Sequence, residues 1–162
     1  MQYIRKISKL LFLLTLFLLF IPNVKEIKIK ERVDTIINSK KENKSYEGYI
    51  YIPRFNYRNI IKRGNVLDDN LVELLSFSDE IGGSNVILAG HNNRYVFNKL
   101  YNLKIGDEIV ISDFSIDYNY IVTELKYIKV DDYSIFSNND SLTLITCSDN
   151  NQKRYVVIAK RR

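Results

Sequence analysis

Hydrophobic and polar positions divide the chain into three textures. From residue 10 to residue 21 every side chain except Thr15 is apolar, Arg5, Lys6 and Lys9 precede the run, and Pro22-Asn23 closes it. Twelve helical residues span roughly 18 Å against a hydrocarbon core of roughly 30 Å, a length that suits a cleaved signal peptide. No small-x-small site follows, however. Counting Ile4, Ile7 and Val24, with lysine stems reaching toward the interface, extends the segment to about 20 residues. Residues 1–24 are therefore read as an uncleaved membrane anchor, with an export signal as the alternative. A basic cluster ahead of an apolar run puts the amino terminus in the cytoplasm and the remainder outside the cell.

Residues 25–47 form the second texture. Val24, Ile27, Val33, Ile36 and Ile37 recur at helical intervals before a polar, unpatterned stretch over residues 38–45. The pattern predicts an amphipathic helix and then a linker, together a solvated connector.

From Gly48 onward short β-type runs dominate. Strands are predicted over 48–53, where Pro53 ends the run, and over 57–62, closed by Arg63-Gly64. Residues 85–90, 141–146 and 154–160 are further strands, and 108–114 with 117–130 a hairpin whose second strand is long enough to bend. Residues 66–77 have apolar side chains at 67, 71, 72, 74 and 75 and early acids at Asp68 and Asp69, which predicts a short helix. A loop is expected over 78–84, a helical turn over 96–103, a tight turn over 104–107, and a loop or short helix over 131–139. Seven or eight short strands with one or two helical insertions indicate an all-β barrel or sandwich occupying residues 48–162 as one domain.

Charge sharpens this division. Of the 24 Lys/Arg and 19 Asp/Glu, residues 1–44 hold ten basic against four acidic, leaving fourteen against fifteen in residues 45–162. A nearly neutral folded unit argues against a nucleic-acid reader, and the basic tail suits an anionic membrane surface.

Candidate chemistry rests on singletons. Cys147, the one cysteine of 162 residues, ends the apolar run Leu142-Thr143-Leu144-Ile145-Thr146, and His91, the one histidine, follows Asn85-Val86-Ile87-Leu88-Ala89-Gly90. A lone cysteine has no disulfide partner and is either a small buried hydrophobe or a reactive thiol. One Cys and one His are too few soft ligands for structural zinc. What remains is a Cys/His pair suited to attack on acyl carbon, or two incidental residues. Arg154 opens the last strand seven residues after Cys147, so the two strands can pair as a hairpin with both groups near one end. A guanidinium there suits an oxyanion or a substrate carbonyl, or is simply one member of a basic carboxyl-terminal strand.

Ala89-Gly90-His91, Thr143-Leu144-Ile145-Thr146-Cys147 and Arg154-Tyr155-Val156-Val157, in that order and at those spacings, resemble the sortase family of Gram-positive cell-surface transpeptidases. The likeness extends through residues 48–53, 96–100 and 104–109 and covers roughly residues 48–160. It implies an eight-stranded β-barrel with one or two short helices, preceded by a single amino-terminal membrane helix. It also implies that Cys147 attacks the threonine carbonyl of a Leu-Pro-x-Thr-Gly-like sorting signal on a surface protein. An amine of a peptidoglycan precursor or a pilin lysine then releases the thioacyl enzyme. By motif position His91 is the acid and base, Arg154 the donor to substrate or oxyanion, and Ala89 and Ile145 line the substrate groove.

A thiolate and an imidazolium have opposite protonation requirements, so the resemblance implies a bell-shaped pH profile. No cofactor or metal is implied. Asp131, Asp132 and Asp149 read as loop acids, with orientation of His91 as an alternative for Asp149. The brief link from Cys147 to Arg154 leaves no room for a large specificity loop, and the absence of an apolar run after Arg162 disfavours the subgroup with a second anchor. Two other readings stand beside this one. An exported L,D-transpeptidase would carry a glycine just before its cysteine, where this chain has Thr146. A membrane-tethered β-barrel binding module would keep its ligand when Cys147 is replaced by alanine.

Overall fold

The computed structural model describes residues 2–20, 24–39, 45–64, 66–137, 140–148 and 152–162. Two helices, α1 (Gln2–Phe20) and α2 (Val24–Asn38), precede eight strands: β1 (Gly48–Ile52), β2 (Tyr57–Gly64), β3 (Val72–Leu75), β4 (Asn85–Ala89), β5 (Glu108–Ser112), β6 (Asp117–Lys129), β7 (Ser141–Cys147) and β8 (Lys153–Arg161). They close into a barrel in the order β1-β2-β3-β4-β7-β8-β6-β5, with β5 returning to pair with β1. The short turns over Pro53–Phe55, Asn98–Asn102 and Ser134–Ser137 are 3₁₀ helices.

Alternate residues of each strand fill the barrel: Ile50 and Ile52, Val86 and Leu88, Ile109 and Ile111, Leu142 and Leu144 belong to one buried cluster. The outer face of β4, β7 and β8 is covered as well. Ile87, Ile145, Val156 and Ile158 pack there with Ile128 and Ile135, flanked by Phe136 from the Ser134–Ser137 turn. Strands buried on both faces read as uninterrupted apolar runs rather than as alternating ones, which is why these three are so conspicuous in the sequence.

The expected helix over 66–77 does not form. Val72–Leu75 is instead a strand, paired parallel with β2 (Ile61 opposite Val72) and antiparallel with β4 (Glu73 opposite Ala89). Val72 and Leu74 enter the core while Glu73, also fully buried, points the other way. An apolar set at helical spacing is also what a doubly buried strand presents, and here the two flanking strands decide. Asp68 serves a turn rather than a first helical turn, its Oδ1 accepting the Asn70 N–H at 2.8 Å.

The long β6 bends where its register with β8 shifts between Val122 and Glu124, as a bulge requires. Helix α2 is docked rather than a solvated connector: it packs on β2 and buries Val33 to 3% exposure. Most of the polar linker, residues 40–44, lies outside the described residues. Helix α1 is 19 residues long, and Thr15, the polar residue in its apolar run, returns its hydroxyl proton to the carbonyls of Leu11 and Phe12 at 3.1 and 2.8 Å. No helix among the described residues is long and apolar enough to cross a membrane.

Candidate active site

Strand β7 lies between β4 and β8, and its carboxyl end presents Cys147. Strand β4 runs parallel to it with Ala89 opposite Ile145. Two residues on from that pair the chain reaches His91, just past the end of β4, and Cys147, the last residue of β7. The step past the end of β4 is held on both sides: the Gly90 N–H donates to the Ile145 carbonyl at 3.1 Å, and the Thr146 hydroxyl donates to the Gly90 carbonyl at 2.9 Å. On the other flank Cys147 is the register partner of Arg154. The hairpin between them is closed by the Ser148 N–H on the Lys153 carbonyl at 2.9 Å and the Lys153 N–H on Ser148 Oγ at 3.1 Å.

Residues two apart on a strand share a face. Val86, Leu88, Leu142, Leu144 and Tyr155 point into the barrel, so Ala89, Ile145, Cys147 and Arg154 lie on its outer face. Ala89 and Ile145 are paired neighbours, each 8% exposed, forming an apolar floor one step below the cysteine. Cys147 with Arg154 and Ala89 with Ile145 are thus register partners, and His91 follows Ala89 by two residues.

The Arg154 Nη1 donates to Cys147 Sγ at 3.1 Å, and Cys147 is a free, partly exposed thiol. The His91 side chain is 40% exposed, and its Nε2 lies 3.7 Å from Asp69 Oδ1. That carboxylate is 90% exposed, so water screens the pair and its energetic weight is small. Asp149, the other acid considered for His91, lies outside the described residues.

The segment after His91 folds back over Gly90. The Phe97 N–H donates to the His91 carbonyl at 3.1 Å, and Asn93 Oδ1 accepts the N–H groups of Tyr95 and Val96 at 2.8 and 3.1 Å. A Cβ on residue 90 would lie 2.6 Å from Val96 Cγ1 and 2.8 Å from Phe97 Cδ2, so glycine is what this approach admits. The same segment carries Tyr101, whose hydroxyl donates to the Cys147 carbonyl at 2.6 Å and accepts from Asn92 Nδ2 at 3.2 Å. Its ring lies 4.6 Å from that of Tyr155, which in turn lies 5.0 Å from Tyr127. Burial, and then the neighbouring Tyr127, push the Tyr155 phenol above its ordinary range.

Asp69, Asn92 and Tyr101 were not among the residues legible in the sequence. Asp69 reads there as the start of a helix. Asn92 and Tyr101 carry no signal, because a tyrosine in a helical turn is ordinary until the turn is seen against β7.

A thiol beside a guanidinium, with an apolar pair below and an imidazole just past the end of the neighbouring strand, carries the residue types that acyl transfer uses. The family model of the sortase domain matches residues 50–162, which include His91, Cys147 and Arg154. The chain belongs to the sortase family. It is 30% identical over 132 residues to sortase A of Bacillus anthracis, an alignment covering 75% of this chain and 62% of that one. Among solved structures it superposes on sortase A of Listeria monocytogenes with a TM-score of 0.66 and 29% identity, covering 73% of this chain and 88% of that one. Sortase C1 of Streptococcus agalactiae gives the same TM-score of 0.66 at 27% identity, over 75% of this chain and 69% of that one. The chain thus spans less than two thirds of the Bacillus anthracis relative, and the eight-stranded barrel is the sortase fold.

Proposed function

We propose that the protein is a cysteine transpeptidase that cleaves a Leu-Pro-x-Thr-Gly-like sorting signal and joins its threonine carbonyl to an amine. The observation that carries this reading is the 3.1 Å contact from Arg154 Nη1 to Cys147 Sγ, in a chain of the sortase family.

In this mechanism the Cys147 thiolate adds to the threonine carbonyl carbon, and Arg154 donates to the oxyanion. Collapse breaks the C–N bond, and the leaving amine takes a proton from the His91 imidazolium. A thioester on Cys147 remains. The acceptor amine, of a peptidoglycan precursor or a pilin lysine, then attacks that carbonyl and gives a proton back to His91. The C–S bond breaks and the thiolate returns, so protons and charge balance over the cycle. Ala89 and Ile145 are the floor on which the signal lies. The domain is residues 48–162.

Residues 1–24 hold the enzyme at the membrane with the barrel outside the cell. Helix α1 exposes Leu10, Leu11, Phe12, Leu13 and Leu14 by 56 to 73%, and a helix that displays consecutive large apolar side chains calls for lipid around it.

Intact mass spectrometry with a small library of sorting-signal peptides tests the reading. The expected result is a mass gain equal to the peptide up to and including its threonine, absent in Cys147→Ala. A folded protein with a free thiol that forms no adduct with any peptide would overturn it.

A further inference from the structure

A cavity of about 210 Å³ lies between α2, the start of β2 and the segment that follows His91. Four basic side chains line it: Lys30 from α2, Arg58 from β2, and Arg94 and Lys99 from the segment after His91. The one carboxylate in the lining, Asp34, already stands 3.9 Å from Arg58. The wall therefore carries four positive charges against one negative. Both guanidiniums are held on tyrosine rings, Arg58 over Tyr51 at 4.7 Å and Arg94 over Tyr95 at 5.2 Å, which fixes their direction before any ligand arrives. Like charges gathered in a concave wall repel one another, and the same concavity focuses their field on an incoming anion.

We propose that this cavity is a binding site for a phosphate-bearing anion. A phosphate brings several oxygens and up to two charges per group, which suits two oriented guanidiniums and two ammonium groups better than one carboxylate would. The cavity is bordered by three parts of the chain, so an occupant adds a link between α2, β2 and the segment that begins at His91. None of Cys147, His91 and Arg154 lines it. Two sources supply this chemistry. One is a soluble diphosphate. The other is a phospholipid headgroup, since α2 starts four residues after α1 ends; that arm rests on the membrane attachment proposed above.

The test uses the full chain reconstituted in phosphatidylcholine nanodiscs and followed by amide hydrogen exchange. Sodium pyrophosphate is titrated against sodium chloride of equal ionic strength, and a parallel preparation contains phosphatidylglycerol. Pyrophosphate is expected to slow exchange over residues 29–37 and 94–99, with affinity about tenfold weaker in the Lys30→Ala/Lys99→Ala double variant. Lys30 is exposed and Lys99 half-buried, and neither belongs to the buried core, so the double variant keeps its core. Protection by phosphatidylglycerol alone, lost in that variant, would identify the lipid headgroup as the source. Protection by neither probe, or protection unchanged in the double variant, would overturn the proposal. Cys147→Ala is expected to bind as the parent does, so the outcome is independent of whether the protein transfers peptides.

Discussion

Cys147 and Arg154 are direct register partners across the β7-β8 hairpin, and Arg154 Nη1 donates to Cys147 Sγ at 3.1 Å. The pairing makes the distance a property of the sheet rather than of two mobile side chains. Arg154→Ala is expected to lower kcat/KM for peptide transfer by about a hundredfold, the scale of losing one oriented donor. Arg154→Lys restores only part of that, because a point charge does not replace the guanidinium fork. Steady-state transfer kinetics decide, and unchanged kcat/KM in Arg154→Ala would remove the assigned role.

Tyr101 ties the His91 segment to the cysteine. Tyr101→Phe keeps the ring against Tyr155 and deletes only the hydroxyl that donates to the Cys147 carbonyl at 2.6 Å. The expected cost is about 1 kcal/mol in urea unfolding, with a several-fold lower kcat at similar KM. A variant equal to the parent in both would show that the hydrogen bond holds nothing.

Gly90→Ala places a methyl group 2.6 Å from Val96 Cγ1, so the segment folded over it must move. Overpacking of this kind costs about 1–3 kcal/mol. Thermal unfolding measures the loss, and faster amide exchange over residues 91–103 locates it.

Glu73 is fully buried, and neither of its carboxylate oxygens has a hydrogen-bond partner. Burial is the main cause that raises its pKa, opposed by Lys62 and by the nearby Asp68 backbone N–H and reinforced by the Asp68 carboxylate. A carboxyl with a folded pKa above its unfolded one costs stability once pH rises past the unfolded value, and the cost is complete above the folded value. Glu73→Gln is therefore expected to stabilise the protein by about 1–3 kcal/mol near pH 8 and by almost nothing near pH 4. Chemical denaturation at the two pH values checks this, and equal effects at both would mean the carboxyl does not titrate differently on folding.

Much of the barrel was legible in advance because its strands announce themselves. Strands β4, β7 and β8 are apolar on both faces, and the covering of their outer side by Ile128 and Ile135 explains the runs. Strand β3 was not legible. Its four residues present the same apolar spacing as a helix, and only parallel pairing with β2 and antiparallel pairing with β4 resolve the ambiguity. The docking of α2 was hidden for a similar reason, since a loose helical stripe such as Val33 and Ile36 does not say whether a surface waits for it. The site divides along the same line. His91, Cys147 and Arg154 each stand at a strand terminus with distinctive chemistry, whereas Tyr101 and Asp69 gain meaning only from what they touch.

By itself the sequence determined the strand-rich domain, the basic and apolar amino terminus, and which three residues are candidates for the chemistry, because periodicity, charge and rare residue types are local properties of a chain. The tertiary structure alone decided that Ala89 stands opposite Ile145, that Cys147 stands opposite Arg154, and that a hydroxyl from residue 101 reaches residue 147. It also decided that Lys30 and Lys99 share one cavity wall. Register and closure are set by the summed pairing of eight strands, and no short stretch of chain contains that sum.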